Sequence, residues 1–264
     1  MKKILSLLLA IGVFFGIEQL TRLKTHGLRL PKTHFDCVEA ASGQNRDVEI
    51  TDRALDQPFY FLGSGAQFYA FASQDGTLVL KLFKHYHVGL PSRHLKALSL
   101  PGFLEGWRDN VLARRYARME KIFKSAELAY EELKEQTGLL HLRLLPGNKT
   151  YPQITLYDNI GIAHQFDLNK APFALQKRAD LLFPYLTSHP ERTSTITDSL
   201  KDCIDTRTTK GIANTDPLLH LNFGVVNGKV VEIDIGSFAR EEVDPETVID
   251  EQTLALKQWI SKHP

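Results

Sequence analysis

The chain has 264 residues, of which 24% are charged and 43% hydrophobic, and its formal net charge is +1. That length allows one large domain or two lobes around a core, and the near-neutral balance argues against a nucleic-acid binder that relies on bulk electrostatics. The two cysteines, Cys37 and Cys203, make neither a disulfide framework nor a zinc motif, and each reads as a buried, inert thiol.

In chain order, Met1-Lys2-Lys3 precedes an uninterrupted apolar and small-residue run from Ile4 to Ile17. As a helix this run spans about 21 Å, short against about 30 Å of hydrocarbon and suited to a signal-peptide core. No small-x-small cleavage site follows, because Phe14 and Phe15 occupy that place. An uncleaved anchor extended by Leu20 and Leu23, with Arg22 and Lys24 snorkelling, therefore competes with export. Basic residues lie on both sides of the run and leave orientation open. The expectation is membrane association or export through residues 1–23, on an unspecified side.

Residues 18–57 mix basic, small and polar types, and 24–57 reads as a linker. Three strands follow. Tyr60–Leu62 meets a Gly-Ser-Gly turn, Phe68–Ala72 comes next, and Asp75-Gly76 turns the chain into Thr77–Phe83. A helical pattern runs from about Trp107 to Gln136 with Gly138 as its stop, and strand-like runs occupy 139–145, 153–157 and 161–168. Residues 173–186 read as mostly helical or linking. A Ser/Thr-rich start at Thr193–Thr197 suits the cap of a helix ending near Thr208, and the last helix is expected over about 253–262. Between them, "NTDPLLHLNFGVVNGKVVEIDIGSF" reads as a hairpin turning at Asn227-Gly228. A β-rich segment, 58–170, thus precedes a helix-rich one, 171–264, and a cleft between two lobes is a natural ligand site.

Three features carry chemistry. Gly63, Ser64 and Gly65 stand at a strand–turn–strand junction, where glycines let backbone amides approach a phosphate. Lys81 lies in mid-strand, on one face with Val79 and Phe83, and either guards a sheet edge or meets an anion. Asp216, Asn222 and Asp234 bracket the hairpin. Carboxylate and amide oxygens suit Mg²⁺, which needs few protein ligands, and a loop carboxylate can orient or deprotonate a hydroxyl.

Together, "LGSGAQFYAF", "VLKLF", "NTDPLLHLNFG" and "VEIDIGS" resemble the protein-kinase-like superfamily over roughly residues 59–238, in the order of glycine-rich loop, strand-three lysine, catalytic loop and metal-binding Asp-x-Gly. The resemblance implies an α+β, bilobal protein-kinase-like fold with a β-rich N-lobe and a short helical C-lobe. It also implies ATP and Mg²⁺ as cofactors and a protein or small-molecule hydroxyl as acceptor. Gly63, Ser64 and Gly65 would cover the phosphates, Lys81 would pair with them, and Asp216 would take the catalytic-base position. Asn222 and Asp234 would hold magnesium. Glu127 and Glu131 are candidates for the helix glutamate that pairs with Lys81, Glu127 fitting the spacing better.

Several positions depart from the family pattern. Phe68 replaces the third glycine, Asn214-Thr215 replaces His-Arg before Asp216, and Asn222 comes one residue late, after Leu221. The Lys81-to-Glu127 distance implies an insertion at about 85–110, and the short stretch after Asp234 implies a minimal member of the superfamily. Beside an active kinase stand a pseudokinase kept as a binding module and a membrane-anchored interaction protein of unrelated α+β fold. His85, His87 and His94 lack a carboxylate partner at metal spacing and read as exposed loop histidines. His220 suits phosphate contact or packing equally. The basic helix around Arg114, Arg118 and Lys121 reads as a solvated face that could also lie against anionic lipid.

Overall fold

A computed structural model describes residues 2–34, 52–85 and 92–262, so Cys37, His87 and the part of the expected linker at 35–51 lie outside the described residues. Helix α1 (Lys2–Lys24) leads through a docked segment and the short α2 (Asp52–Leu55) to the hairpin strands β1 (Phe59–Ser64), β2 (Phe68–Ser73) and β3 (Leu78–Phe83). Helices α3 (Ser92–Ala97), α4 (Gly102–Glu132) and α5 (Lys134–Thr137) precede β4 (Leu139–Arg143), β5 (Gln153–Tyr157), β6 (Ala163–Asp167), β7 (Phe173–Lys177) and β8 (Asp180–Leu181). Then come α6 (Leu182–Ser188), α7 (Thr193–Thr209), β9 (Ile212–Asn214), α8 (Leu219–Asn222), β10 (Phe223–Val226), β11 (Lys229–Glu232), β12 (Phe238–Arg240) and α9 (Pro245–Lys262).

The fold is α+β. Seven strands form one sheet in the order β4-β7-β3-β2-β1-β5-β6, with β5 parallel to β1 and the other pairs antiparallel. Strand alternation gives the sheet two apolar faces. On one, Phe68 and Phe83 pack against Met119, Ile122, Phe123 and Ala126 of α4. On the other, Tyr69, Phe71, Leu80 and Leu82 lie under Ile154 and Phe166, with Leu28, Leu30 and Leu55 closing the layer. A third cluster joins α6, α7 and α9 around Leu186, Ile196, Leu200, Phe223 and Leu256 in the C-terminal part.

Residues 173–177, expected to be helical or linking, form the interior strand β7, between β3 and the edge strand β4. Its side chains alternate between two apolar layers, Ala174 facing α4 and Leu175 facing away, so no polar face marks it as a strand. The sheet therefore closes only at Lys177, beyond residue 170. The Asn227-Gly228 turn forms as expected, with φ of 51° and 77° between β10 and β11. Helix α7 begins without a side-chain cap: the Thr193 hydroxyl donates to the Pro190 carbonyl at 2.8 Å. Helix α9 starts earlier than expected because Asp244 accepts from the Thr247 amide at 3.1 Å and Pro245 opens the first turn. His85 is not exposed. It is buried, and its Nε2 lies 3.1 Å from the Thr33 carbonyl oxygen, while His94 is exposed as expected. Cys203 is buried, and burial raises its thiol pKa well above the usual range. Among the described residues no helix is long and apolar enough to cross a membrane.

Candidate functional site

Lys81 is 9% exposed at the bottom of a cleft between the sheet and the C-terminal part. Pairing with Ala70 on one side and Ala174 on the other gives it small neighbours, so its stem fits within the layer. The ammonium donates to the Ile233 carbonyl and sits 5.6 Å from the centroid of the Phe68 ring. Burial pushes its pKa down to about 8, opposed by the negative charge of Asp234. The carboxylate acting on Lys81 is thus the one at the end of the hairpin. On α4, Glu127 is half-buried and Glu131 exposed.

The Ile233 peptide joins the rest. Its N–H donates to the Asn222 carbonyl at 2.8 Å, and its carbonyl also accepts weakly from Gln176 Nε2 at 3.4 Å. Asn222 Nδ2 in turn donates to the Asp216 carbonyl at 2.7 Å. The late position of Asn222 is absorbed by the helical turn α8, in which the Leu221 and Asn222 amides both return to the Leu218 carbonyl. With Nδ2 occupied, Oδ1 is the atom Asn222 offers to a cation. Asp234 is half-buried and oriented by its own loop: Oδ1 accepts from the Gly236 amide at 3.0 Å and Oδ2 from Ser237 Oγ at 2.8 Å. Hydrogen bonds through the Ile233 peptide thus link Lys81 to Asn222 and to the Asp216 backbone, and Asp234 acts on Lys81 through its charge, while the Asp216 side chain stays exposed.

Two supports were missed by the sequence reading. Ser125 of α4, 1% exposed, donates to the Ile235 carbonyl at 2.8 Å and accepts from the Phe238 amide at 2.7 Å, pinning the loop after Asp234. A lone serine on a long helix carries no sequence signal. Beneath the segment around Asp216, Arg207 and Glu232 form a buried pair at 2.7 Å, and Arg207 also donates to the Ile212 carbonyl at 2.9 Å. Asn214 donates to the other Glu232 oxygen at 2.5 Å and accepts from the Asp216 amide at 2.9 Å. Asn214 thus links a buried charge pair to the Asp216 backbone.

The glycine turn closes with the Gly65 amide donating to the Phe68 carbonyl at 3.1 Å. Neither Gly63 nor Gly65 has a positive φ, and a Cβ on either would meet nothing within 4 Å, so the fold itself does not require glycine there. Between them, Ser64 accepts from Lys84, not Lys81, at 2.6 Å. Gln67 leaves the turn to reach the Asp234 loop: its Nε2 donates to the Gly236 carbonyl at 3.3 Å, and its Oε1 fills the place a Gly236 side chain would need.

The cleft holds a cavity of about 630 Å³. Leu62, Ala70 and Val79 line its sheet side, Lys81 and Ile233 its inner end, and Gln176 with residues 178–181 one edge. Tyr185 and His189 stand opposite. Among the described residues no group of three or more His, Cys, Asp or Glu side chains gathers as a metal cluster. Asp234 and Asn222 Oδ1 could serve a cation that, like Mg²⁺, needs few protein ligands and takes the rest from phosphates and water.

No family model and no curated protein matches the chain. Solved structures of WbdD are similar to it. Monomeric WbdD is 14% identical, with the match covering 74% of this chain and 37% of that one at a TM-score of 0.36. A structure described as the bifunctional kinase-methyltransferase WbdD is 16% identical over 73% of this chain and 34% of that one, at a TM-score of 0.35. A high-resolution WbdD structure gives 16%, 74%, 35% and 0.37 in the same order. The chain spans about a third of the length of the WbdD chains it matches.

Proposed function

We propose that the chain is a kinase-like nucleotide-binding protein that transfers the γ-phosphate of ATP, with Mg²⁺, to a hydroxyl acceptor. The observation that carries this reading is Lys81: a buried ammonium at the inner end of a nucleotide-sized cavity, under the charge of Asp234 and one peptide from Asn222. An apolar enclosure with a few convergent polar groups is the usual form of a cofactor site. The residues fit the expected groups. Leu62, Ala70 and Val79 would pack against a base, Lys81 would neutralise phosphate oxygens, and Asp234 with Asn222 Oδ1 would hold the cation. Bound ATP and Mg²⁺ would supply the transferable phosphoryl group and offset its charge. The exposed Asp216 carboxylate would orient an incoming hydroxyl and accept its proton. Gly63 and Gly65, required by neither φ nor packing, leave room for a close ligand.

A second reading, nucleotide binding without transfer, is favoured by Gln67, whose side chain spans from the glycine turn to Gly236 beside Asp234. The two readings separate in Asp216→Ala. Transfer from radiolabelled ATP to protein or small-molecule acceptors is expected in the wild type and lost in the variant, with ATP affinity retained. Transfer that survives the substitution removes Asp216 from the mechanism, and nucleotide binding without transfer in the wild type supports the second reading.

A further inference from the structure

The sheet carries another cavity, on the face away from the cleft. It measures about 780 Å³ and lies between the end of α1, the segment through Lys32, and the glycine turn at Ser64 and Gly65. Among the described residues its wall presents Arg22, Arg29, Lys32 and Lys84 with the carboxylate of Glu18, which pairs with Arg29 at 2.5 Å. The backbone fixes these cations in place. Tyr69 Oη accepts from the Arg29 amide at 3.1 Å and donates to the Gly27 carbonyl at 2.8 Å, and the His85 amide donates to the Lys32 carbonyl at 2.9 Å.

Lys84 is the decisive group. It is 7% exposed, and its ammonium donates to Ser64 Oγ at 2.6 Å and to the Gly65 carbonyl at 2.5 Å, 4.0 Å from the centroid of the Tyr69 ring. All these partners are neutral. Burial and then the charge of Lys32 lower the Lys84 pKa to about 8, and Lys32 is lowered by burial and by Arg29, Arg22 and Arg115. A buried cation among other cations, with neutral hydrogen-bond partners, is the half of a charge pair that an incoming anion completes. Arginine and lysine together on a concave wall suit the tetrahedral oxygens of a phosphate.

We propose that this cavity binds a phosphate-bearing anion, on the opposite face of the sheet from the cleft that holds Lys81. Lipid headgroups and soluble phosphates share that chemistry. The exposed Phe14, Ile17, Leu20 and Leu23 of α1 lead to the cavity, and Leu23 lines it, which suits a headgroup whose acyl chains lie along α1.

The test uses the full chain in zwitterionic micelles, titrated calorimetrically with dihexanoyl phosphatidylglycerol, dihexanoyl phosphatidylcholine and inorganic pyrophosphate. Wild type is compared with Arg22→Gln/Lys32→Gln, with Lys84→Met, and with Arg114→Gln/Arg118→Gln on the exposed face of α4. Thermal unfolding checks that each variant is folded. The expected result is binding of phosphatidylglycerol, pyrophosphate or both by wild type, weakened about twentyfold or more by the cavity double variant and unchanged by the α4 variant. Binding of phosphatidylglycerol alone identifies a lipid source, and binding of pyrophosphate identifies a soluble one. Equal binding by wild type and both cavity variants overturns the proposal. So does equal binding of the two lipids without pyrophosphate binding, or no binding of any titrant.

Discussion

At Ile233, next to Asp234 in sequence, one peptide unit receives the Lys81 ammonium on its carbonyl and donates its N–H to the Asn222 carbonyl, so a side chain and a backbone segment distant in sequence meet on one peptide. Polar groups in such a part-buried network are costly to orphan where water is excluded, as at Lys81, and so hold one another in place. Ser125 plays the matching part on the far side of the loop, where it satisfies the Ile235 carbonyl and the Phe238 amide at once. Ser125→Ala leaves both groups without that partner in a region closed to water. The expected loss is on the order of 2 kcal/mol in urea unfolding, with a weakened response to nucleotide. A loss below about 0.5 kcal/mol, the size of an ordinary surface change, would show that Ser125 does not hold the loop.

Among the elements, the hairpin β10–β11 sets Asn222 and Asp234 at its two ends, and the strand β8 fixes it to the cleft edge. That contact depends on Gly224. A Cβ there would lie 2.7 Å from both the Ala179 Cβ and the Asp180 carbonyl oxygen, and the backbone cannot swing aside as a flexible side chain can. Gly224→Ala is expected to separate β8 from β10, costing about 1–3 kcal/mol and lowering nucleotide affinity because residues 179–181 line the cavity. Unchanged melting temperature and affinity would contradict this account of the edge. The hairpin itself was legible in the sequence, because Asn-Gly between β-branched runs specifies its turn. So were the glycine turn and the mid-strand lysine. Strand β7 was not, since a five-residue run buried on both faces has no period to display. Nor was the placement of β5 beside β1, a parallel pairing between segments far apart in the chain. Ser125, the α4 side chain that donates to the Ile235 carbonyl in the Asp234 loop, carried no sequence signal either.

Across the molecule, the same sheet serves two faces of opposite chemistry. Toward α4 and the C-terminal part it presents Lys81 to an enclosed cleft, and toward α1 it presents Lys84 to a cationic hollow. Ser64 and Gly65 of the glycine turn line the cationic hollow, whereas Leu62, just before the turn, lines the cleft. The C-terminal part contributes the buried Arg207–Glu232 pair, which supports Asp216 through Asn214 and lies too deep to act on a ligand directly. The central claim is that Lys81 and Asp234 form one nucleotide site. Its most direct measurement is the ATP-dependent shift in melting temperature, with and without Mg²⁺, for wild type, Lys81→Met and Asp234→Asn. ATP with Mg²⁺ is expected to raise the wild-type melting temperature, Lys81→Met to abolish the rise, and Asp234→Asn to remove the part that depends on Mg²⁺. Equal shifts in all three proteins, or none in the wild type, would contradict the claim.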